Sequence, residues 1–172
     1  MKKLNFLLIL FMVFFSAKTF AQDMMPPPPV SSPIFNSMVG TWASAPYEMM
    51  GSKITDEVTV SMVLNGQFME ADVKSASDNG NVYEGKGFFA PKSDGTYTGW
   101  FYDIYGLNNI TTYTGTSEPG KLYLTGTSNM GSETRNISVE GNVMIHNVIF
   151  KWKDKDGNDL PQQSFSITYN KK

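Results

Sequence analysis

From Gly40 onward the chain is written in short runs that alternate apolar and polar residues, with Gly, Asn, Asp and Pro between almost every pair of runs. In residues 53–64, Val58, Val60, Met62 and Leu64 fall on one face and Glu57, Thr59 and Ser61 on the other. A period of two is that of a strand with one buried face. Further runs at 41–45, 67–75, 82–90, 96–105, 110–116, 121–127, 133–140, 143–153 and 163–170 read the same way. Asn65-Gly66 is the strongest two-residue hairpin signal, and Ser77-Asp78-Asn79-Gly80, Ser93-Asp94-Gly95, Pro119-Gly120, Gly141-Asn142 and Asp156-Gly157 mark other turns. No run has a helical period. Successive strands without crossover helices predict an all-β chain: an up-and-down antiparallel β-barrel of about ten strands.

Glycines inside the runs sharpen that expectation. Gly85, Gly87, Gly99, Gly115 and Gly126 interrupt strand patterns. Interior glycine weakens a flat strand but relieves crowding where a sheet coils, and it leaves space inside. The pattern therefore favours a closed barrel over a flat sandwich.

Three segments precede the strands. Ser32-Pro33 reads as an N-cap followed by proline at the first helical position, and Ile34, Phe35 and Met38 give the short helix one apolar face. Such a helix can plug one end of a barrel, so the barrel domain is placed at 32–172. Residues 22–31 contain Pro26-Pro27-Pro28-Pro29 and read as a semi-rigid spacer. Residues 1–21 have the layout of a bacterial signal peptide: Lys2 and Lys3, an apolar run from Leu4 to Phe15, and Thr19-Phe20-Ala21 before the cleavage point. The expected location is periplasmic or secreted, with no membrane insertion once the segment is removed. The chain has no Cys, so neither a lipid anchor on Cys nor a disulfide is available.

Removing Lys2, Lys3 and Lys18 leaves 11 basic residues against 16 acidic ones. That balance supplies no basic patch for nucleic acid.

The opening Gly40-Thr41-Trp42 is similar to the G-x-W start of lipocalin-like (calycin) barrels. An ordered set extends the resemblance: Leu64-Asn65-Gly66-Gln67-Phe68, Tyr83-Glu84-Gly85-Lys86-Gly87, Asp103-Ile104-Tyr105-Gly106 and Asp156-Gly157. Together these resemble an uncharacterised bacterial family of secreted calycin-like domains, which often has Arg where this chain has Gln67. The resemblance implies a barrel of roughly ten strands and no agreed activity. The nitrobindin-like haem barrels are more distantly similar. They hold iron through a late-strand histidine, and the single histidine here, His146, is on the penultimate strand.

Few side chains carry chemistry. His146 alternates with Met144, Val148, Phe150 and Trp152, so it is expected to face inward, as a haem ligand, a cavity contact or a core histidine. Asp103 shares a face with Tyr97, Phe101 and Tyr105, and Arg135 alternates with Ile137 and Val139. A charge among apolar neighbours needs a partner, so the pattern offers two readings: Asp103 and Arg135 pair near a barrel mouth, or both lie at strand ends in water. Asp154-Lys155-Asp156-Gly157-Asn158-Asp159 resembles the start of a Ca²⁺ loop, but position twelve is Phe165, and it reads as a hairpin loop. No catalytic set and no metal site is readable.

The candidate ligand-binding residues are therefore Tyr83, Phe101, Asp103, Tyr105, Arg135, His146 and Phe150. The leading expectation is an exported, non-enzymatic domain that binds a small apolar or amphipathic ligand inside the barrel. The alternatives are a haem or gas-binding protein using His146, and an enzyme using Asp103, Arg135 and Tyr105. The residues specify no cofactor and no oligomeric state.

Overall fold

The computed structural model describes residues 26–154 and 156–172; the expected signal peptide, residues 1–21, lies outside them. Among the described residues no helix is long and apolar enough to cross a membrane.

Helix α1 (Pro33–Met38) starts as its sequence requires. Ser32 is the N-cap, its side chain accepts from the Phe35 N–H, and Pro33 occupies the first turn. Ile34, Phe35 and Met38 are buried. The strands follow: β1 (Gly40–Ser44), β2 (Tyr47–Met49), β3 (Ser52–Val63), β4 (Phe68–Ser77), β5 (Val82–Pro91) and β6 (Tyr97–Asp103). A 3₁₀ turn (Gly106–Asn109) leads to β7 (Thr111–Glu118), β8 (Lys121–Ser128), β9 (Gly131–Glu140), β10 (Val143–Trp152) and β11 (Gln163–Lys171). Every neighbouring pair from β3 to β11 is an antiparallel hairpin, and β1 closes the ring by pairing with both β11 and β3. The result is a closed antiparallel barrel of ten strands, with β2 as an extra strand on β3.

Two local details differ from the sequence pattern. Leu64 is not the last residue of the β3 face. It begins a turn in which Leu64, Asn65 and Gly66 all have positive φ (49°, 58° and 77°). Leu64 is 68% exposed, so the hairpin is a longer turn than Asn65-Gly66 alone implies. The short β2 follows Pro46, which has no N–H to offer a ladder.

The prolines before α1 lie on this same turn. The Gln67 side-chain amide donates to the Pro27 carbonyl (2.5 Å), tying Pro27 to the residue that begins the return toward β4.

The barrel interior divides into two halves. At the end closed by α1, Phe35, Met38, Trp42, Leu122 and Met144 are buried. The Trp42 indole N–H donates to the Met38 carbonyl (2.7 Å), locking the first strand to the plug. Ser32 hydrogen-bonds the Tyr97 hydroxyl (3.1 Å), which also meets Ser117 (2.9 Å). A Cβ at any of the interior glycines, in either half, would meet neighbouring atoms within 3 Å. A Cβ on Gly99 would come within 2.3 Å of the Phe89 ring, and one on Gly85 within 2.3 Å of Phe101. At Gly85, Gly87, Gly99 and Gly126 an aromatic ring lies nearest the bare backbone, whereas at Gly115 the Tyr123 carbonyl and Leu124 do.

The far half is different. β1 pairs with β11 only from Trp42 to Ser44. Beyond the Ala45 N–H, which donates to the Thr168 carbonyl (2.8 Å), β2 pairs with β3 alone. Among the described residues no ladder joins β2 to β11, and stacked rings of Tyr47 and Phe165, 5.6 Å apart, bridge the seam.

Candidate functional site

The far half of the interior is lined by polar and aromatic side chains in three clusters. Asp56 follows Ile54 on the buried face of β3. Its carboxylate accepts from the hydroxyls of Tyr47 (3.1 Å) and Tyr169 (2.8 Å), while its own N–H donates to Ser44 Oγ (2.7 Å). On the opposite wall, β9 presents Glu133 and Arg135 on one face, as residues two apart on a strand must be. Arg135 Nε and Nη2 donate to the two Glu133 oxygens at 2.8 and 2.9 Å, a bidentate pair. The Tyr113 hydroxyl also donates to Glu133. The third cluster lies at the rim. Asp103 accepts from the Tyr83 hydroxyl (3.1 Å), the Asn109 side-chain amide (2.7 Å) and the Tyr105 N–H (2.9 Å).

Each carboxylate is thus paired with at least one phenol. Burial, and then the neighbouring negative charge, push the Tyr47, Tyr83 and Tyr169 hydroxyls up; burial and Glu133 do the same for Tyr113 against the opposing charge of Arg135. All four phenols therefore keep their protons and act as donors.

His146 is the exception to this satisfaction. It faces inward from β10 and is only 8% exposed, yet neither ring nitrogen has a hydrogen-bond partner. Burial, helped by the positive charge of Arg135, lowers its pKa to about 3, so the ring is neutral across the physiological range. Its ring lies 4.9 Å from that of Tyr169.

Arg135 is the central charge of this half: it acts on the titration of Tyr47, Tyr83, Tyr113, Tyr169 and His146. Burial weighs most on it and opposes its charge, but Glu133 and Tyr113 outweigh that, and the guanidinium is held firmly protonated. Its side chain nevertheless stays 29% accessible. Its guanidinium carbon sits 5.7 Å from the Phe150 ring centroid, within cation–π range.

The sequence-predicted residues are therefore distributed as follows. Tyr83, Asp103 and Tyr105 form the rim cluster, although Tyr105 joins it through its backbone N–H and its side chain is 55% exposed. Phe101 is half-buried, filling the notches at Gly85 and Gly87. Arg135, Phe150 and His146 belong to the interior. Asp103 and Arg135 do not pair: Glu133, on the same strand face, accepts from Nε and Nη2 of the guanidinium. The Asp154 carboxylate is used within its own loop, accepting from the Asp156 and Asn158 N–H groups (both 2.9 Å).

Sequence reasoning missed Tyr47, Asp56, Tyr113, Glu133, Phe165 and Tyr169. Two of them carried a signal: Asp56 precedes Val58 on the alternating face of β3, and Glu133 precedes Arg135 on β9.

Shallow concavities also occur on the barrel wall, one of about 400 Å³ bordered by Thr134, Asn136, Asn147 and Ser166. That one includes neither His146 nor Arg135.

No protein-family model matches this chain, and no curated protein matches it either. Among solved structures, the chain is similar to the crystal structure of Rv2717c from M. tuberculosis, with a TM-score of 0.60 and 13% identity. The match covers 83% of this chain and 99% of that one. At that identity the likeness concerns the barrel fold alone.

Proposed function

We propose that this chain is an exported, non-enzymatic calycin-like domain that binds a small apolar or amphipathic molecule in the far half of its barrel. The observation that carries the proposal is His146. Buried polar side chains in folded proteins are almost always partnered, and an imidazole with two free nitrogens calls for a donor and an acceptor from outside the chain. The accessible Arg135 and the half-buried rings of Phe101, Phe150 and Phe165 line the same half of the interior. The signal-peptide pattern of residues 1–21 supports a periplasmic or secreted location. Native mass spectrometry of protein recovered from a bacterial envelope tests the reading: a stoichiometric mass excess lost on denaturation supports it, and bare polypeptide that also binds no apolar probe contradicts it.

A haem held through His146 is a second reading, favoured by the neutral, unpartnered imidazole. The surroundings fit it poorly. His146 is only 8% exposed and its ring lies 4.9 Å from that of Tyr169. Titrating haemin into wild type and His146→Ala separates the two: a Soret shift that requires His146 supports the haem, and its absence removes it. Of the residues in the enzyme reading, Arg135 pairs with Glu133 rather than with Asp103, and the Tyr105 side chain is 55% exposed.

A further inference from the structure

The charges in the far half of the barrel are unequal. Three carboxylates, Asp56, Asp103 and Glu133, face one guanidinium, Arg135. That guanidinium is committed to Glu133 through both Nε and Nη2. Among the described residues neither Asp56 nor Asp103 has a cation within ion-pair distance; both accept only from neutral donors. Once Glu133 and Arg135 cancel, one carboxylate remains unneutralised in the interior, Asp56, and a second, Asp103, at the rim.

Asp56 is the deeper of the two, 7% exposed, and its partner Tyr47 begins a row of aromatic rings. Tyr47 stacks on Phe165, Phe165 meets Phe150 at 5.7 Å, and Phe150 meets Trp152 at 5.3 Å. Tyr169 joins this wall to the unpartnered His146, since its hydroxyl reaches Asp56 while its ring lies against the imidazole. A carboxylate with free acceptor capacity, several π-faces and an imidazole offering an unpaired acceptor nitrogen all favour one kind of partner: a positively charged hydrogen-bond donor on an apolar body.

We propose that the barrel selects an amphipathic organic amine, with its ammonium group drawn to Asp56 and His146 and its apolar body against Phe150 and Phe165. The inference rests on the binding-module reading above and specifies its ligand class. An anionic amphiphile such as a fatty acid is disfavoured by the same groups. Its headgroup would meet Asp56, Asp103 and Glu133, and the charge of the one guanidinium there is already offset by Glu133. Arg135 opposes a cation, but Glu133 lies within 2.8 Å of it and offsets its charge.

Three probes with one indole body and different charge test this on the folded wild-type chain: tryptamine, 3-ethylindole and indole-3-propionate, each titrated by calorimetry and thermal shift at pH 7. The expected result is saturable binding near one-to-one for tryptamine, at least about tenfold tighter than for the neutral probe, with the anion weakest. Asp56→Asn should remove that preference while leaving the affinity for 3-ethylindole within about twofold. Equal or tighter binding of the neutral or anionic probe overturns the amine proposal and leaves the binding module intact. Binding of none of the three contradicts both. The wild-type comparison decides even if Asp56→Asn does not fold, and Asp103→Asn at the solvent-exposed rim provides a second variant with the same expected direction.

Discussion

Tyr169 and Asp56, 113 residues apart, meet inside the barrel at 2.8 Å, the phenol of β11 donating to the carboxylate of β3. Strand β1 lies between those strands only at the plugged end, so this contact, with Tyr47, ties the walls together where the backbone ladder stops. Tyr169→Phe removes one of the two phenol donors and leaves a buried carboxylate under-satisfied. The expected loss is about 1–3 kcal/mol, the range for breaking a hydrogen bond to a charged group. Urea denaturation checks it, and an unchanged midpoint would show that the contact contributes nothing.

Glu133→Gln should be more severe. It removes the only carboxylate bonded to Arg135 among the described residues, leaving a guanidinium inside the barrel beside the neutral His146. Breaking one side of a buried pair costs about 3–5 kcal/mol, discounted here because Arg135 is partly accessible to water. Removing both charges in Glu133→Gln/Arg135→Met should recover much of that loss, and a double-mutant cycle measures how much.

Gly99→Ala should destabilise by about 1–3 kcal/mol through overpacking. Its new Cβ would lie 2.3 Å from the Phe89 ring and 2.9 Å from the Phe88 carbonyl, and the backbone atom cannot swing away. Thermal melts of Gly99→Ala and of Gly95→Ala, a turn position with open space around it, separate crowding from the general effect of losing glycine. Gly95 has a φ of +83°, so its substitution carries backbone strain without a clash.

Most of the barrel was legible because strand alternation and turn chemistry are local. The run 143–153 corresponds to Val143–Trp152, and 121–127 to Lys121–Ser128. The candidate site was legible only in part, because its pairings are not local. Arg135 alternates with apolar residues whichever carboxylate it meets, and choosing Glu133 over Asp103 requires knowing that β9 and β6 face each other across an interior with two strands between them. Asp56 was hidden by a face that seemed to begin at Val58, and Tyr47 by a three-residue strand after Pro46. The glycines pointed correctly to tight curvature, but whether the space they leave is empty or filled by Phe89 and Phe101 depends on side chains from neighbouring strands.

His146 gives a pH dependence with a definite sign. Its folded pKa, about 3, lies below the ordinary 6.5, so the unfolded chain binds the proton more readily between those values. Its contribution to stability is intact above pH 6.5 and falls as the pH drops toward 3, by up to about 1.4 kcal/mol per unit. His146→Leu, which removes the unsatisfied nitrogens at similar volume, should match or exceed wild-type stability at pH 7, with the gap widening in acid. Denaturation curves at several pH values check both; parallel pH profiles would show that His146 is not buried neutral.

Because His146 is the only histidine, ¹⁵N-histidine labelling gives one pair of ring-nitrogen resonances from the centre of the candidate site. The expected result is a neutral imidazole in the free protein down to about pH 4, and saturable shifts of both ring nitrogens on adding tryptamine at pH 7. An imidazole that titrates near 6.5 and ignores every ligand tested would place His146 in ordinary solvent and contradict an internal binding site.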